Sequence, residues 1–234
     1  MKQNRLHRWM VMTIAIIYLV ILVGTICSFS SDAFPKPTVQ TMVNGIWSQE
    51  LEHYLTEYLG FHDVLFQMKS RTDMFVGEKM IQGVYVTDDM LLEKLLAEDV
   101  PEPEMSAAPV NAFYNATGMP TCLVLVPSAS EIYKTRLRAN AVSEEQKNRI
   151  QAVYTETASG VRCVDAYNIL ASLKGNYIYY RTDTHWTCYG AYYVYQAAIQ
   201  KLGFTAVPYD RYVIMHVSTE FRGDLYQRTL YTGV

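Results

Sequence analysis

Cys122-Leu123-Val124-Leu125-Val126-Pro127-Ser128-Ala129-Ser130 is the stretch on which the fold class turns. Its first five residues are apolar without a break, the pattern of a strand buried on both faces of a parallel sheet. Pro127 to Ser130 reads as the loop at the strand's carboxyl end. Ser143 with Gln146 resembles a capping box, which predicts a helix to about Thr157, closed by Gly160. Val161-Arg162-Cys163-Val164 is the next strand. Strand, helix and strand with short connections predict a parallel βαβ unit and an α/β fold.

The same rhythm continues downstream. Asp165 to Leu173 reads as a short helix, Tyr177-Ile178-Tyr179-Tyr180 as a third strand, and Thr187 to Leu202 as a helix ended by Gly203. Upstream, Val100-Pro101-Glu102-Pro103-Glu104 reads as a Pro-rich surface linker, taken as residues 99–110. Met90 to Leu96 is a helical piece and Gly83-Val84-Tyr85-Val86 a short strand. Met42, Ile46, Leu51, Tyr54, Leu55, Tyr58 and Leu59 fit one helix from about Val39 to Leu59. Gly60 ends it, and a second helix follows to about Phe75. Pro35 and Pro37 mark a stalk.

The N-terminus is of another kind. Lys2, Arg5 and Arg8 precede an uncharged run from Trp9 to Ser31, long enough to cross a bilayer as a helix. Ile26 before Cys27 suits neither an Ala-x-Ala cleavage site nor a lipoprotein site, so the length favours an uncleaved anchor over a cleaved signal peptide. Basic residues before the run place residues 1–8 in the cytoplasm, 9–31 in the membrane and the rest outside. Without those three bases, 17 Lys and Arg face 23 Asp and Glu, a net charge of −6 for the ectodomain. With a pI near 6.0 and no basic stripe, nucleic acid is excluded as a partner. The membrane is a partner only through the N-terminal helix. Hydrophobic residues at 50% exclude intrinsic disorder. No Gly-rich phosphate loop follows a strand, so a nucleotide cofactor has no support. Cys163, His185 and Cys188 match no standard zinc spacing. The expectation is no cofactor and no metal. Cys122 and Cys163 fall on two strands read as neighbours, where buried thiols are the default over a disulfide.

Chemistry concentrates at Arg181-Thr182-Asp183-Thr184-His185-Trp186, between the third strand and the last helix. In an extended segment residues two apart point the same way, so Asp183 and His185 fall on one side. A carboxylate there orients an imidazole and leaves its other nitrogen to accept a proton. On spacing alone the bland alternative weighs slightly more: Asp183 or Thr184 caps the helix and His185 packs under it. Trp186 either walls a pocket or staples the helix start. Arg181 either meets an anionic polymer or covers the helix, the second being favoured. Of 19 Tyr, seven lie between residues 177 and 195. Tyr189, Tyr192 and Tyr193 share a helix face and read as core, whereas Tyr180 beside the motif is the better substrate-binding residue.

Tyr179 through Thr187, with Gly190-Ala191-Tyr192 and Tyr195, resembles the signature of the DHHW (Asp-His-His-Trp) family of bacterial cell-envelope proteins. That family is related to the alginate O-acetyltransferase-like branch of the SGNH/GDSL hydrolases. Further pieces fit in order: Glu52-x-Tyr54-Leu55, Phe61-His62-Asp63, Gly83-Val84-Tyr85, Val126-Pro127-Ser128-Ala129 with Ile132-Tyr133, Val164-Asp165 and Gly223-Asp224-Leu225-Tyr226. Thr184 stands where the first His of the family name belongs, which spares the Asp-x-His pair. The resemblance implies a three-layer SGNH-like α/β domain with a mostly parallel sheet, preceded by one transmembrane helix. On that reading residues 32–98 are its helical N-terminal part and 111–234 its core. It implies Asp183 and His185 as catalytic residues, and Tyr180, Arg181, Trp186 and Ser128 at the substrate. It also implies a membrane-anchored esterase or O-acetyltransferase, cell-envelope polysaccharide as substrate, and a membrane protein that donates acyl groups as partner. The implied Ser nucleophile lies in an Asp-Ser context downstream, and no Asp-Ser pair occurs in this sequence. Ser128 is the in-chain runner-up, more simply read as a loop Ser. The expectation is therefore a core incomplete at its C-terminus, in a fragment or a pseudoenzyme. The alternative function is a non-catalytic glycan-binding or envelope-assembly module.

Overall fold

The structure is a computed structural model that describes residues 2–30, 33–139, 141, 142 and 145–234. It divides into two units, residues 1–72 and 73–234.

In the first unit, helix α1 spans Lys2–Ser28. Its segment His7–Ser28, with mean hydropathy 2.7, is among the described residues the one helix long and apolar enough to cross a membrane. The hydroxyls of Thr13 and Thr25 bond back to the carbonyls of Trp9 and Ile21. Their polar groups are thereby satisfied inside the helix, as an apolar surrounding requires. The single helix expected over 39–59 is two: α2 (Val39–Val43) and α3 (Ile46–Glu57). The break has a cause at Gly45, whose φ of 72° is left-handed and cannot continue a helix. Thr38 starts α2 with a capping box shared with Thr41. Helix α4 covers His62–Val76, as the apolar spacing predicts.

The second unit opens with an antiparallel sheet of β1 (Met80–Ile81), β2 (Val84–Val86) and β3 (Leu91–Glu93). Gln82 and Gly83, both at positive φ, make the tight turn between β1 and β2. Strand β3 replaces the helical piece expected over 90–96. A short apolar run carries no helix-or-strand information of its own; Leu92 and Leu91 are decided by pairing with Tyr85 and Val86. The Pro-rich stretch is also more ordered than a linker. Arg149 holds the carbonyls of Val100 and Pro101, and Pro103 enters the first turn of α5 (Pro103–Thr117), where its missing N–H costs nothing.

The βαβ unit is present. β4 (Cys122–Val124) and β5 (Arg162–Val164) run parallel, with Leu123 opposite Cys163. Between them lie α6 (Ala129–Ile132) and α7 (Gln146–Glu156). Glu145 takes the N-cap place of α7 without a capping bond to the helix backbone, its carboxylate accepting instead from Asn148 Nδ2 at 2.9 Å. Ser143, expected to cap it, lies outside the described residues. β4 is not buried on both faces as its composition predicts. All three of its residues are half-buried, because β5 is its one strand partner among the described residues. The third strand expected at 177–180 is not in a sheet either. The chain reverses at once and pairs with itself through a single antiparallel bridge, Tyr179 to Trp186. Helices α8 (Ala166–Ser172) and α9 (Cys188–Lys201) follow the reading, capped by Asp165 and Thr187. Helix α10 (Asp224–Thr229) closes the unit.

The core joins Leu92, Tyr133, Val164, Leu170, Ile178, Tyr179 and Val194. Each such side chain, buried from the extended chain, contributes about 1.5–3 kcal/mol. Ile178 and Tyr179 are 0% and 3% exposed. The residues on the N-terminal side of the Arg181–His185 loop are thus locked into the core, and the loop emerges from a rigid base.

Candidate active site

The loop is closed at its neck by Tyr180 N–H donating to the His185 carbonyl (3.1 Å) and Thr187 N–H donating to that of Ile178 (2.8 Å). Leu91 N–H donates to the Arg181 carbonyl (2.7 Å) and ties the loop to β3. Asp183 and His185 do face one another, but the reason is not strand alternation. Asp183 Oδ1 accepts the His185 backbone N–H (2.8 Å), an Asx-turn, and also meets His185 Nδ1 at 2.6 Å. The bland alternative fails on two counts: Thr187 caps α9, and the His185 side chain is 76% exposed rather than packed under the helix.

The carboxylate is held from the other side by a segment 40 residues away in sequence, whose Asp224 also takes the Thr184 N–H at 2.9 Å. Asp224 N–H, at the start of α10, donates to Asp183 Oδ2 (3.2 Å). Asp224 Oδ2 accepts the Thr184 hydroxyl (3.2 Å). Gly223 N–H donates to Thr182 Oγ1 (3.2 Å), and Tyr226 N–H to the Thr182 carbonyl (3.1 Å). Gly223 lies so close that a Cβ there would come within 2.1 Å of Asp183 Oδ2. Gly223 and Asp224 carry no signal of their own in the sequence; they appear only as a weak piece of the family pattern.

Electrostatically, burial pushes the Asp183 carboxyl up. The bonds from the His185 backbone, the His185 ring and Asp224 N–H outweigh it, and hold the carboxyl below its ordinary value of 3.8. A carboxyl depressed in the folded state adds stability above the unfolded value and loses it as pH falls through the folded one. Asp183→Asn is therefore expected to flatten the acid limb of a stability–pH profile below about pH 4. A limb as steep as wild type in the variant contradicts this.

Because Nδ1 is occupied by Asp183, Nε2 is the nitrogen left to receive a proton. Among the described residues no hydroxyl hydrogen-bonds to it. Ser128 is the N-cap of α6: its hydroxyl meets Gln146 Nε2 (2.6 Å) and Ser130 Oγ (2.8 Å), and its N–H donates to Gln146 Oε1 (2.8 Å). No contact among the described residues brings it to His185. Arg181 is exposed. Trp186 is half-buried against the core and bridged to Tyr179, so it anchors the motif. Tyr180 stands across the loop neck from His185, its ring 4.9 Å from that of Phe221. Cys122, Cys163 and Cys188 are free thiols.

A family model described as "DHHW protein" matches residues 75–234. The chain belongs to the DHHW family. Among solved structures, a DHHW family protein from Eubacterium siraeum is 24% identical with a TM-score of 0.56, over 65% of this chain and 50% of that one. That likeness shows the fold. PatB1 of Bacillus cereus is 21% identical with a TM-score of 0.42, over 51% of this chain and 42% of that one. The O-acetyltransferase domain of AlgJ from Pseudomonas putida is 20% identical with a TM-score of 0.46, over 62% and 57%. No curated protein matches. The chain spans about half the length of these solved chains. In this DHHW protein the second motif position is Thr184. Its N–H and hydroxyl both bond Asp224, and the hydroxyl also lies 3.5 Å from His185 Nδ1, so that position fastens the loop while the closer Asp183–His185 contact stays intact.

Proposed function

We propose that this DHHW protein is a membrane-anchored extracytoplasmic O-acetyl esterase or O-acetyltransferase acting on cell-envelope polysaccharide. The observation that carries the proposal is the 2.6 Å contact between Asp183 Oδ1 and His185 Nδ1. It fixes the ring and leaves Nε2 exposed as a general base. In the reaction a serine hydroxyl presented to His185 Nε2 attacks an acetyl carbonyl. Its proton passes to His185 Nε2, the tetrahedral intermediate collapses, and the leaving alcohol takes that proton. The acetyl group then rests on the serine as an ester. Water or a sugar hydroxyl attacks it next, with His185 again relaying the proton. Asp183 stabilises the imidazolium at each relay. Helix α1, by its length and hydropathy, holds the site at the membrane, where a membrane acyl-donor protein would load it. Tyr180 has the strongest geometric support as a substrate-side residue, with the exposed Arg181 next to it; Trp186 is tied to the core and Ser128 to the cap of α6, so both have weaker support.

The test is base-labile acetate in the envelope polysaccharide. Deletion of the gene is expected to change it, and the wild-type gene to restore it where His185→Ala does not. Acetate content indifferent to the deletion, or restored by the variant, overturns the proposal. A second reading, a glycan-binding module without chemistry, is favoured by the exposed rings of Tyr177 and Phe221 around Tyr180.

A further inference from the structure

Two groups of tyrosines lie around the loop and α9. On α9, Tyr189, Tyr192 and Tyr193 pack on one another and on Tyr209, with centroid separations from 4.9 to 5.8 Å. Their hydroxyls are used as well: Tyr192 donates to the Val207 carbonyl, and Tyr189 and Tyr193 bond each other. That set is structural. The other set is Tyr177 and Tyr180, joined by Phe221 from the far side of the Asp183 clamp. Tyr177 and Phe221 are 54% and 50% exposed. The rings of Tyr180 and Phe221 lie 4.9 Å apart, tilted by 50°, and Tyr177 meets Tyr180 edge-on at 6.0 Å. The set is held in place by the bonds that build the dyad. Tyr180 N–H donates to the His185 carbonyl, and Thr182 Oγ1 donates to the Phe221 carbonyl (3.4 Å).

We propose that Tyr177, Tyr180 and Phe221 form a stacking subsite for one pyranose ring of a neutral glycan with equatorial hydroxyls, at the loop neck that Tyr180 shares with His185. This deepens, and rests on, the acetyl-transfer reading of the site. A pyranose with equatorial hydroxyls exposes axial C–H groups on its ring faces and keeps its hydroxyls at the rim. An aromatic face, negative by its quadrupole, attracts those C–H groups and sheds little bound water. The 50° tilt makes a wedge that grips a ring from two directions. Charge near the rings is balanced and favours a neutral sugar: Arg181 lies against Tyr177 and Arg222 against Tyr226, while Arg228 is paired with Glu93. Asp183 and Asp224 carry negative charge into the same corner.

The test is titration of the full chain in lipid nanodiscs with cellohexaose, chitohexaose and a hexauronate, read by saturation-transfer NMR. Saturable binding of a neutral hexamer is expected, weakened about 5- to 10-fold by Phe221→Ala and restored by Phe221→Trp. Tyr180→Ala is expected to weaken it likewise. Flat titrations with both neutral hexamers, binding of the hexauronate alone, or affinities untouched by Phe221→Ala overturn the subsite. The half-exposed Phe221 makes that variant safe for folding. Failure of the subsite shows as lost binding dependence, and failure of the acetyl-transfer reading as acetate levels independent of His185.

Discussion

Asp183→Asn is expected to lower acetyl-ester turnover by the gene product, as the cell makes it, by about 10²–10⁴-fold, with a far smaller effect on substrate binding. The carboxylate does three things at once. Its Oδ1 receives the His185 backbone N–H and sits 2.6 Å from the ring nitrogen; its Oδ2 receives Asp224 N–H. An amide of the same shape keeps at most one acceptor on the ring side. Turned the other way, it donates to Nδ1 and drives the ring proton onto Nε2, the nitrogen that has to accept one. It also brings no charge to offset an imidazolium. Turnover of 4-methylumbelliferyl acetate measures the loss, with His185→Ala as the reference for an absent base. Wild-type turnover in Asp183→Asn contradicts the orienting role.

Gly223→Ala is expected to damage the same site without touching any reacting group. The backbone there has φ −87°, which suits every residue, so the cost is steric. The added Cβ meets Asp183 Oδ2 at 2.1 Å, its Cβ at 2.3 Å and its Cγ at 2.6 Å, all far inside carbon contact distance of roughly 3.5–4.0 Å. The target is no flexible tip: the Asp183 side chain is 11% exposed and fastened at both oxygens. Either the carboxylate or the 221–226 segment has to move, at about 1–3 kcal/mol. Hydrogen exchange at the His185 amide, whose acceptor is Asp183 Oδ1, is expected to speed up by about 5- to 100-fold, and turnover to fall in step. Wild-type exchange and turnover in the variant contradict the clamp.

The parts legible in the sequence were those that local signals determine. The βαβ unit followed from two apolar runs around a helix, α9 from Thr187 to Gly203, and the long apolar helix α1 from an uncharged run. Asp183 and His185 were legible as a pair because the family motif singles them out; their spacing predicted the right neighbours through the wrong geometry. An Asx-turn and an extended strand both bring residues two apart together, and only the fold distinguishes them. What stayed hidden depended on partners distant in sequence. β3 is a strand because Tyr85 and Val86 are opposite it. The run at 177–180 is no sheet strand, because Trp186 returns to pair with Tyr179. Gly223, Asp224 and Phe221 reach the site across some 40 residues; no periodicity or cap marks such a contact. Gly223 in particular looks like any loop glycine until the carboxylate beside it is seen.

The most direct test of the Asp183–His185 pair is the ring proton of His185 itself. The full chain, with its five histidines labelled with nitrogen-15, is placed in nanodiscs at a pH where the ring is neutral. The His185 signals are those that vanish in His185→Ala. The expected spectrum has a protonated Nδ1 and an unprotonated Nε2, with that preference lost in Asp183→Asn. A proton on Nε2 in the wild type, or the same tautomer balance with and without the Asp183 carboxylate, contradicts the assignment of His185 as the oriented base.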